Sequence, residues 1–528
     1  MSPSSHSLLR LLLVAAGCAF STAPAAAQCT QLSVPGQPND GFGRALATAG
    51  DVDADGFPDV MIYARSSNFS GAYVEVRSGR TSAVLHRFDY ANYQTVNPGM
   101  AGLGDVNGDG HDDFAIGDPW HDIVGTPQAG RVRAYDGATG SMILEVTGGE
   151  FFGYFGAALA GVGDVDGDGV PDLAVGEPGN NQNGGLNGAA YVYSGANGAL
   201  LRSGFGELRD HFGATLCAVG DVDADGVPDL LVGAPREDGA YINQGGAWAL
   251  SGADFTPLQH VTGWADDDLL GTSLAAVGDW DGDGHADFAV GAPAAFSGGV
   301  VVVVSGATGQ NLAWLNGGYG GSGYGAALAA GDFDGDAALE LAVGMSSNNT
   351  TGPGAGSVKV HDGPSGVLIE GFTGPGQFAF FGAALAMPGD CDGDGRGELI
   401  IGVPGSNAGG QYSGEVVAVL CGRMSLLPPA PGIAGQPNQF SVRGVNPGTT
   451  ITFYASLALG SSPLPGCPGS SLALGGARTA FGSAVADPLG EARVTVTVPA
   501  AAHGVGVLLQ AADHAACETT APLVAVFF

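Results

Sequence analysis

The chain has 528 residues, enough for more than one domain, and 45% of them are apolar, which excludes a disordered acidic tail. It carries 52 Asp and Glu residues against 17 Lys and Arg residues, for a formal net charge of −35. Nucleic acids and anionic membrane surfaces bind basic patches, so this balance excludes them as partners. The 94 glycines indicate many short strands joined by tight turns.

The first 27 residues have the features of a cleaved export signal. Arg10 supplies a positive charge, Leu11 to Phe20 form an apolar segment, and Ala25 to Ala27 are small residues suited to cleavage. A lipoprotein signal ending at Cys18 is the alternative, but it lacks the usual aliphatic residue three places before the cysteine. No later apolar run is long enough to span a bilayer, so we expect a secreted, periplasmic or cell-surface protein.

The predicted compartment permits disulfide bonds. Cys467 and Cys517 lie in the same C-terminal segment, and we expect them to pair. Cys217 stands where neighbouring repeats have Ala160 and Ala275, which favours a small buried thiol.

An acidic segment recurs seven times, with successive spacings of 54, 59, 57, 58, 53 and 58 residues. An aromatic-Gly pair and a strand of small residues precede it, and a strand ending in Gly-x-Pro and two further strands follow. Seven such units predict an all-β fold, a seven-bladed β-propeller with four-stranded blades. A solenoid is the alternative, but its end repeats would differ from the others, and here they look complete.

The last repeat has no outer strand of its own, because Gly414 to Gly422 run directly into a proline-rich segment. The beginning of the chain, Cys29 to Gly43, matches the missing part. We therefore predict a propeller over residues 28–427 in which Thr30 to Val34 complete the seventh blade. Cys29 and Cys421 would then lie close enough to form a disulfide that closes the ring.

Residues 428–528 follow this proline-rich linker and contain several short apolar strands separated by Gly/Pro turns. They predict a small C-terminal β-sandwich accessory domain. The segment contains no acidic loop, and anchoring, sorting and structural capping all stay open as its role.

The acidic loops follow the pattern D-x-[DN]-x-D-G-x-x-[DE], with side-chain oxygens at positions 1, 3, 5 and 9 and a backbone carbonyl at position 7. Calcium takes about six to eight oxygen ligands, and glycine at position 6 permits the sharp turn. An EF-hand needs a bidentate acid at position 12, where this chain has apolar residues such as Ile62 and Val175. We therefore predict up to seven structural Ca²⁺ ions.

The predicted metal ligands include the position 7 residues, which would bind only through the backbone; the imidazoles of His111 and His285 are expected to be incidental. The sixth loop fits the pattern least, with Ala337 in place of glycine and a glutamate at position 9. The ligands are Asp51, Asp53, Asp55, Phe57 and Asp59; Asp105, Asn107, Asp109, His111 and Asp113; Asp164, Asp166, Asp168, Val170 and Asp172; Asp221, Asp223, Asp225, Val227 and Asp229; Asp279, Asp281, Asp283, His285 and Asp287; Asp332, Asp334, Asp336, Leu339 and Glu340; Asp390, Asp392, Asp394, Arg396 and Glu398.

Taken together, the motifs resemble FG-GAP repeats, as in the seven-bladed head of integrin α-subunits, over about residues 30–425. The aromatic-Gly pair is clear at Phe42, Phe155, Phe212 and Phe381, and Gly-Ala-Pro at Gly233 and Gly291. The second repeat lacks the pair, and the other departures are Leu270-Gly271, Tyr324-Gly325 and Gly344-Met345-Ser346. The resemblance implies structural calcium on one rim and ligand binding by loops on the opposite rim. The partner subunit and membrane span of integrins do not carry over.

No catalytic motif is found: the chain has no H-E-x-x-H, no G-x-S-x-G and no P-loop, and Gly318 to Gly323 lack the context of a dinucleotide site. We therefore expect a binding or adhesion module for a protein or glycan, not an enzyme. Its predicted ligand face comprises Trp120, Tyr241, Trp264 and Tyr319. The alternatives are a propeller-type polysaccharide lyase or hydrolase, which the scarcity of Lys and His disfavours, and a purely structural surface protein.

Overall fold

The computed structural model describes residues 30–420 apart from 67–70, 91–96, 183, 319–322 and 394, and a series of strands between 425 and 526. The predicted signal segment and the cysteines of both predicted disulfides lie outside the described residues. Cys217 and Cys391 are free thiols, the first half-buried and the second buried.

Seven antiparallel sheets of four strands form the blades of a β-propeller, as predicted from the repeat. Blades 1 to 6 each take four consecutive strands, from β2–β5 to β22–β25, and blade 7 takes β26–β28 together with β1. The strands are β1 (Thr30–Pro35); β2 (Ala45–Gly50), β3 (Asp59–Arg65), β4 (Ala72–Arg77), β5 (Val84–Tyr90); β6 (Met100–Gly104), β7 (Asp113–Asp118), β8 (Arg131–Tyr135), β9 (Met142–Thr147); β10 (Ala158–Gly163), β11 (Asp172–Glu177), β12 (Ala189–Tyr193), β13 (Leu200–Phe205); β14 (Thr215–Gly220), β15 (Asp229–Ala234), β16 (Gly246–Leu250), β17 (Pro257–Thr262); β18 (Ser273–Gly278), β19 (Asp287–Ala292), β20 (Val300–Val304), β21 (Asn311–Asn316); β22 (Ala327–Gly331), β23 (Glu340–Met345), β24 (Ser357–His361), β25 (Leu368–Thr373); β26 (Ala384–Ala386), β27 (Leu399–Val403) and β28 (Glu415–Leu420).

The first strands of the blades contact one another in sequence around the ring, from β2 to β6 and onward until β26 contacts β2 again. Their alanines and glycines suit this crowded position. Blade 7 is completed by β1, which pairs antiparallel with β28 from Thr30 opposite Leu420 to Pro35 opposite Glu415. The two ends of the repeat region therefore meet in one sheet.

The second strand of a blade is its most buried element. In blades 3 to 6, every residue of this strand is buried, because neighbouring blades cover both of its faces. The outer strand alternates between exposed and half-buried positions, as in Val84–Tyr90. Burial thus explains why continuous apolar runs recur in the second strand and polar residues in the fourth.

The aromatic-Gly and Gly-x-Pro motifs meet at the junctions between blades. Phe155 is 1% exposed and packs with Val132 of blade 2 and Leu173 of blade 3. Gly156 follows it with φ +88°, and its N–H donates to the carbonyl of Gly176 at 2.9 Å. The residues at the same position of other repeats, Phe42, Phe212, Phe381, Tyr324 and the aliphatic Leu270, are also buried.

Outer strands are fastened to the next blade by side chains that bond a backbone carbonyl in its turn between the third and fourth strands. His86 Nε2 lies 2.6 Å from the Gly137 carbonyl, and Gln259 Nε2 donates to Gly306 at 2.8 Å. These bonds add to the apolar contacts between blades.

The described strands after residue 420 form separate antiparallel sheets: β29-β30-β35, β34-β31-β36-β37 with β38 beside β36, and β32-β33. Phe481 on β34 packs against Phe440 on β30, with ring centroids 4.8 Å apart, so the two larger sheets contact each other at these residues. The predicted boundaries of this domain stay predictions. The strands are β29 (Ser425–Leu426), β30 (Pro437–Arg443), β31 (Thr450–Ser456), β32 (Ala458–Pro463), β33 (Ser471–Gly475), β34 (Thr479–Val485), β35 (Ala492–Thr497), β36 (Gly506–Asp513), β37 (Glu518–Thr519) and β38 (Leu523–Val526).

The close approach of the motif glycines gives a test of blade packing. A Cβ at Gly117 would collide with the carbonyl oxygen of Gly156 in the next blade. We expect Gly117→Ala to lower the free energy of unfolding by about 1–3 kcal/mol, as overpacking does. Gly149→Ala is the matched control, because nothing lies within 4 Å of a Cβ there. Equal stabilities of the two variants in urea unfolding would contradict the proposed packing.

Candidate functional site

All seven acidic loops lie on one rim of the propeller, which we call the acidic rim. Each loop joins the first and second strands of its blade, as the loop from Gly163 to Asp172 joins β10 and β11. Position 12 falls inside a strand, at residues such as Val175 in β11, so no helix follows the loop as it would in an EF-hand.

The loop that begins at Asp164 shows how the sequence shapes each acidic loop. The two carboxylate oxygens of Asp164 accept hydrogen bonds from Asp168 N at 3.1 Å and Gly169 N at 2.8 Å. Asp166 and Asp168 in turn accept from the backbone N–H groups two residues further on. Gly169 has φ +87°, and nothing lies within 4 Å of a Cβ there, so the position needs glycine for its backbone angle and not for space.

The carboxylate at position 9 is fully buried and joins three strands. In blade 3, Asp172 accepts from the Val165 N–H of the loop at 2.9 Å and from the Gly195 N–H after β12 at 3.0 Å. The same two bonds recur in blades 1, 2, 4 and 5.

Burial of these position 9 carboxylates raises their pKa values, because the charged form loses its hydration. The pKa of Asp59 and that of Asp229 rise to about 6, and that of Glu340 rises to about 7. The pKa values of Asp113, Asp172 and Asp287 are raised for the same reason.

Carboxylate oxygens converge in these loops. One oxygen each from Asp164, Asp166 and Asp172 can lie within 4.8 Å of one another, and similar groups occur in other loops of the described chain. All donors are hard oxygens, which suits Ca²⁺. The residues therefore fit a hard divalent cation.

Loop 6, which fits the sequence pattern least, gives independent support for a cation. Its buried oxygens Asp334 Oδ1 and Glu340 Oε1 accept no hydrogen bond. Buried carboxylate oxygens normally have partners, and a bound cation would provide one. Ala337 adopts φ +74°, so the loop keeps the backbone shape that glycine has elsewhere.

One predicted ligand of loop 6 is wrong by one residue. Leu339 is the predicted position 7 residue, but the N–H of Ala338 donates to Asp336 Oδ1, as that of Val170 does to Asp168 in loop 3. Ala338 therefore occupies position 7. Asp394, at position 5 of loop 7, lies outside the described residues.

The imidazoles of His111 and His285 point to neighbouring loops. Their Nδ1 atoms lie 2.8 Å from the carbonyl oxygens of Val52 and Val222 respectively. These rings are predicted to be incidental to metal binding, and the sequence carries no signal for this contact, because the acceptor carbonyls lie in the preceding blade.

The opposite rim is built from the loops between blades and the loops after each second strand. Before Phe155, the N–H groups of Phe152 and Tyr154 donate to the carbonyls of Pro127 and Gln128 at 3.0 and 3.1 Å. Phe378 and Phe380 make the same pair of bonds before Phe381. Backbone hydrogen bonds thus join the loop between two blades to the loop that follows the second strand.

Residues that make these backbone hydrogen bonds adopt the left-handed conformation although they are not glycine. Phe152 and Tyr154 have φ near +55°, as do Phe378 and Phe380. Such conformations cost about 1–3 kcal/mol each and persist where the surrounding structure enforces them.

The structure places three of the four residues of the predicted ligand face on loops of this rim. Trp120 is half-buried and packs on Tyr154, with ring centroids 5.2 Å apart. Trp264 is half-buried beside Trp314, 4.4 Å between centroids, whereas Tyr241 is 46% exposed. Tyr319 lies outside the described residues. The predicted face is therefore not one continuous surface of exposed rings.

Sequence reasoning missed several exposed aromatics of the propeller: Phe152, Phe296, Trp314, Phe380 and Tyr412. A signal existed for some of them, because additional aromatics directly precede two of the Phe-Gly pairs. Adjacent phenylalanines differ sharply, since Phe380 is exposed and Phe381 is buried.

Four stretches of the chain match the FG-GAP repeat, residues 101–135, 155–193, 212–255 and 270–314. The chain is 29% identical to integrin alpha-5 of Xenopus laevis over 221 residues, covering 39% of this chain and 21% of that protein. It is 34% identical to integrin alpha-4 of the same species over 151 residues, covering 26% and 14%. With integrin alpha-V of Gallus gallus the identity is 28% over 265 residues, covering 46% and 24%.

The chain thus matches less than a quarter of the length of each of these relatives. Among solved structures, Saccharomyces cerevisiae Sqt1 gives a TM-score of 0.42 at 10% identity, covering 78% of this chain and 94% of that one. Strand order establishes the fold independently of that similarity.

Fold and loops define the class as a seven-bladed β-propeller with acidic hairpin loops on one rim. The chain contains FG-GAP repeats and is similar to integrin alpha subunits over part of its length. The matched family model and these relatives indicate no catalytic family. A search of the described residues for membrane-spanning helices found none.

The raised pKa values predict how the metal-free protein responds to pH. The position 9 carboxylates of loops 1 to 6 bind their protons more tightly in the folded state than in the unfolded chain, so folding stability falls as pH rises from about 4 to about 7. In excess chelator, we expect the melting temperature to increase when the pH is lowered from 7.5 to 6. A decrease over this range would contradict the assignment.

Proposed function

We propose that this protein is an exported, calcium-stabilised binding module that recognises a protein partner through the rim opposite the acidic loops. The acidic loops would hold the scaffold, and the loops of the other rim would supply the contacts. Glycan recognition is the second candidate, and a purely structural role is the third.

Two features support bound calcium: the oxygen ligands that the loops supply, and the free-energy penalty of leaving their carboxylates ionised without a cation. Each loop concentrates carboxylates within nine residues, and its position 9 member is buried. Without a cation, repulsion and desolvation would both destabilise the ionised form. In loop 6, Asp334, Asp336 and Glu340 would hold the ion with Asp332 and the Ala338 carbonyl, and the orphaned oxygens would gain a partner.

The binding role depends chiefly on one observation. Large aromatic side chains are exposed on a rim whose loops are held by backbone hydrogen bonds and contain left-handed residues other than glycine. Phe151 is 52% exposed and Phe378 54%, whereas the motif phenylalanine that follows each of them is buried. Aromatic residues on fixed loops are typical of interface centres, where they bury area at little entropic cost. The similarity to integrin alpha subunits favours a protein partner.

Glycan binding is favoured by one cluster. Trp264, Phe296 and Trp314 lie with ring centroids 4.4 to 6.1 Å apart, and the last two are exposed. Contiguous aromatic faces of this kind also suit the apolar faces of sugars.

Removing the buried charge of loop 6 tests the calcium assignment. At pH 7.5 in chelator, we expect Glu340→Gln to raise the melting temperature, because an uncompensated buried carboxylate becomes neutral. With saturating Ca²⁺ the same variant should gain less stability than the native protein, because one site has lost a ligand.

The matched control is Glu207→Gln, since Glu207 is exposed. It should leave both melting temperatures unchanged. If chelator and added Ca²⁺ leave the melting temperature of the native protein unaltered, structural calcium is ruled out.

Paired substitutions on the opposite rim test the binding role. A panel of extracellular proteins and glycans is screened with Ca²⁺ present, and the Kd for each ligand found is measured for the native protein and two variants. We expect at least one variant to weaken binding by about tenfold or more, as loss of a central aromatic anchor does. The variants are Phe151→Ser/Phe152→Ser and Phe378→Ser/Phe380→Ser.

Leu200→Ser/Leu368→Ser provides the control, because these leucines are 53% and 50% exposed but lie at the outer-strand ends nearer the acidic rim. The control should retain full affinity. Equal affinity of all variants would exclude this rim, and a screen with no ligand would favour the structural role.

A further inference from the structure

Backbone hydrogen bonds join neighbouring acidic loops at some junctions between blades. The Ala286 N–H of loop 5 donates to the carbonyl oxygen of Asp221 in loop 4 at 3.1 Å. Both residues belong to loops proposed to bind metal. Equivalent bonds from position 8 to position 1 run from Asp112 to Asp51 and from Gly397 to Asp332.

The donor in each bond shares a peptide group with a proposed metal ligand. In loop 5, this single peptide group carries the His285 carbonyl at position 7 and the Ala286 N–H. A cation on the carbonyl would polarise the group and strengthen the N–H as a donor. The acceptor is the backbone carbonyl of Asp221, and the carboxylate of the same residue is the position 1 ligand of loop 4, so both sites would include a residue that takes part in this bond.

A second bond reinforces the junction between loops 4 and 5. His285 Nδ1 lies 2.8 Å from the carbonyl oxygen of Val222, the residue after Asp221. His111 makes the equivalent contact with Val52 between loops 2 and 1. These two junctions therefore have both a backbone and an imidazole contact.

The other junctions between described acidic loops lack the backbone bond. Position 8 is proline in loops 1, 3 and 4, at Pro58, Pro171 and Pro228, and proline has no N–H. At the junction of loops 5 and 6, position 8 is Leu339, and the hydrogen bonds of the described residues include none from its N–H to Asp279. Loops 1–2, 4–5 and 6–7 are thus joined, and loop 3 stands alone.

We propose that the residues at positions 7 and 8 are positioning residues that couple metal binding between joined loops. Occupation of loop 4 raises the affinity of loop 5, and by linkage occupation of loop 5 raises that of loop 4 to the same degree. The inference rests on the proposed calcium sites, and the experiment below distinguishes failure of the coupling from failure of the sites.

Trp280 allows loop 5 to be measured alone. It stands at position 2 of that loop, where the other acidic loops have Val, Phe or Cys. Tb³⁺ substitutes for Ca²⁺ at oxygen sites, and its emission is sensitised by a neighbouring tryptophan. Titration of the full chain with Tb³⁺ therefore gives the Kd of loop 5, and Trp280→Phe must remove this signal.

The coupling is tested with a double-mutant cycle. In the native background, Asp223→Asn in loop 4 should raise the loop 5 Kd about fivefold or more. His285→Val/Ala286→Pro gives loop 5 the Val-Pro pair that loops 3 and 4 carry natively. In that background, Asp223→Asn should change the loop 5 Kd by less than about twofold.

Asp334→Asn in loop 6 is the matched control, because loop 6 also neighbours loop 5 but is not joined to it. It should leave the loop 5 Kd unchanged. An effect of Asp223→Asn that is absent in the native background, or equal in both backgrounds, would overturn the coupling. Absence of Trp280-sensitised emission from the native protein would instead overturn the metal site itself.

Discussion

A buried carboxylate at the start of the second strand holds each blade together. In five blades both of its oxygens accept backbone N–H groups, one from the acidic loop and one from the turn after the third strand. One side chain therefore fixes three strands and the loop between two of them. Burial makes its ionised form costly, and further carboxylates lie in the same loop. A cation that offsets this repulsion would let a rigid blade and a dense acidic loop coexist.

This arrangement divides the propeller into two rims with different chemistry. On the acidic rim, the loops repeat a short pattern because each must converge its carboxylates. On the opposite rim, backbone straps between consecutive blades fix the loops, and side chains such as Phe152 and Phe378 extend into solvent. Aromatic side chains on loops that are already held in one conformation lose little conformational entropy when a partner binds. A strained but fixed backbone is therefore compatible with recognition.

The acidic loops are not equivalent despite their shared pattern. Whether position 8 is proline decides whether a loop can donate a hydrogen bond to its neighbour. A substitution that looks neutral within one loop, such as alanine for proline, thus changes the relation between two loops. The ring is more closely described as joined pairs and a single loop than as a uniform repeat.

Sequence alone determined the number of blades, their four-strand pattern and the acidic loops, because these follow from spacing and from motifs within each repeat. It also placed Thr30–Val34 at the seventh blade, where β1 pairs with β28. Leu339 was the wrong residue for position 7 of loop 6, because both the spacing from Asp332 and the hydrogen bond from Ala338 to Asp336 place that position at Ala338.

Only the tertiary structure decided which aromatics are exposed and which loops are joined. Phe380 and Phe381 are adjacent and identical, yet one is exposed and the other lies between blades. Phe381 forms a bridge with Gly356 of the preceding blade, and His285 contacts the carbonyl of Val222, about one repeat away in the chain. The local pattern of a segment determines which strand or loop it can form, but these contacts exist only where two consecutive blades pack against each other.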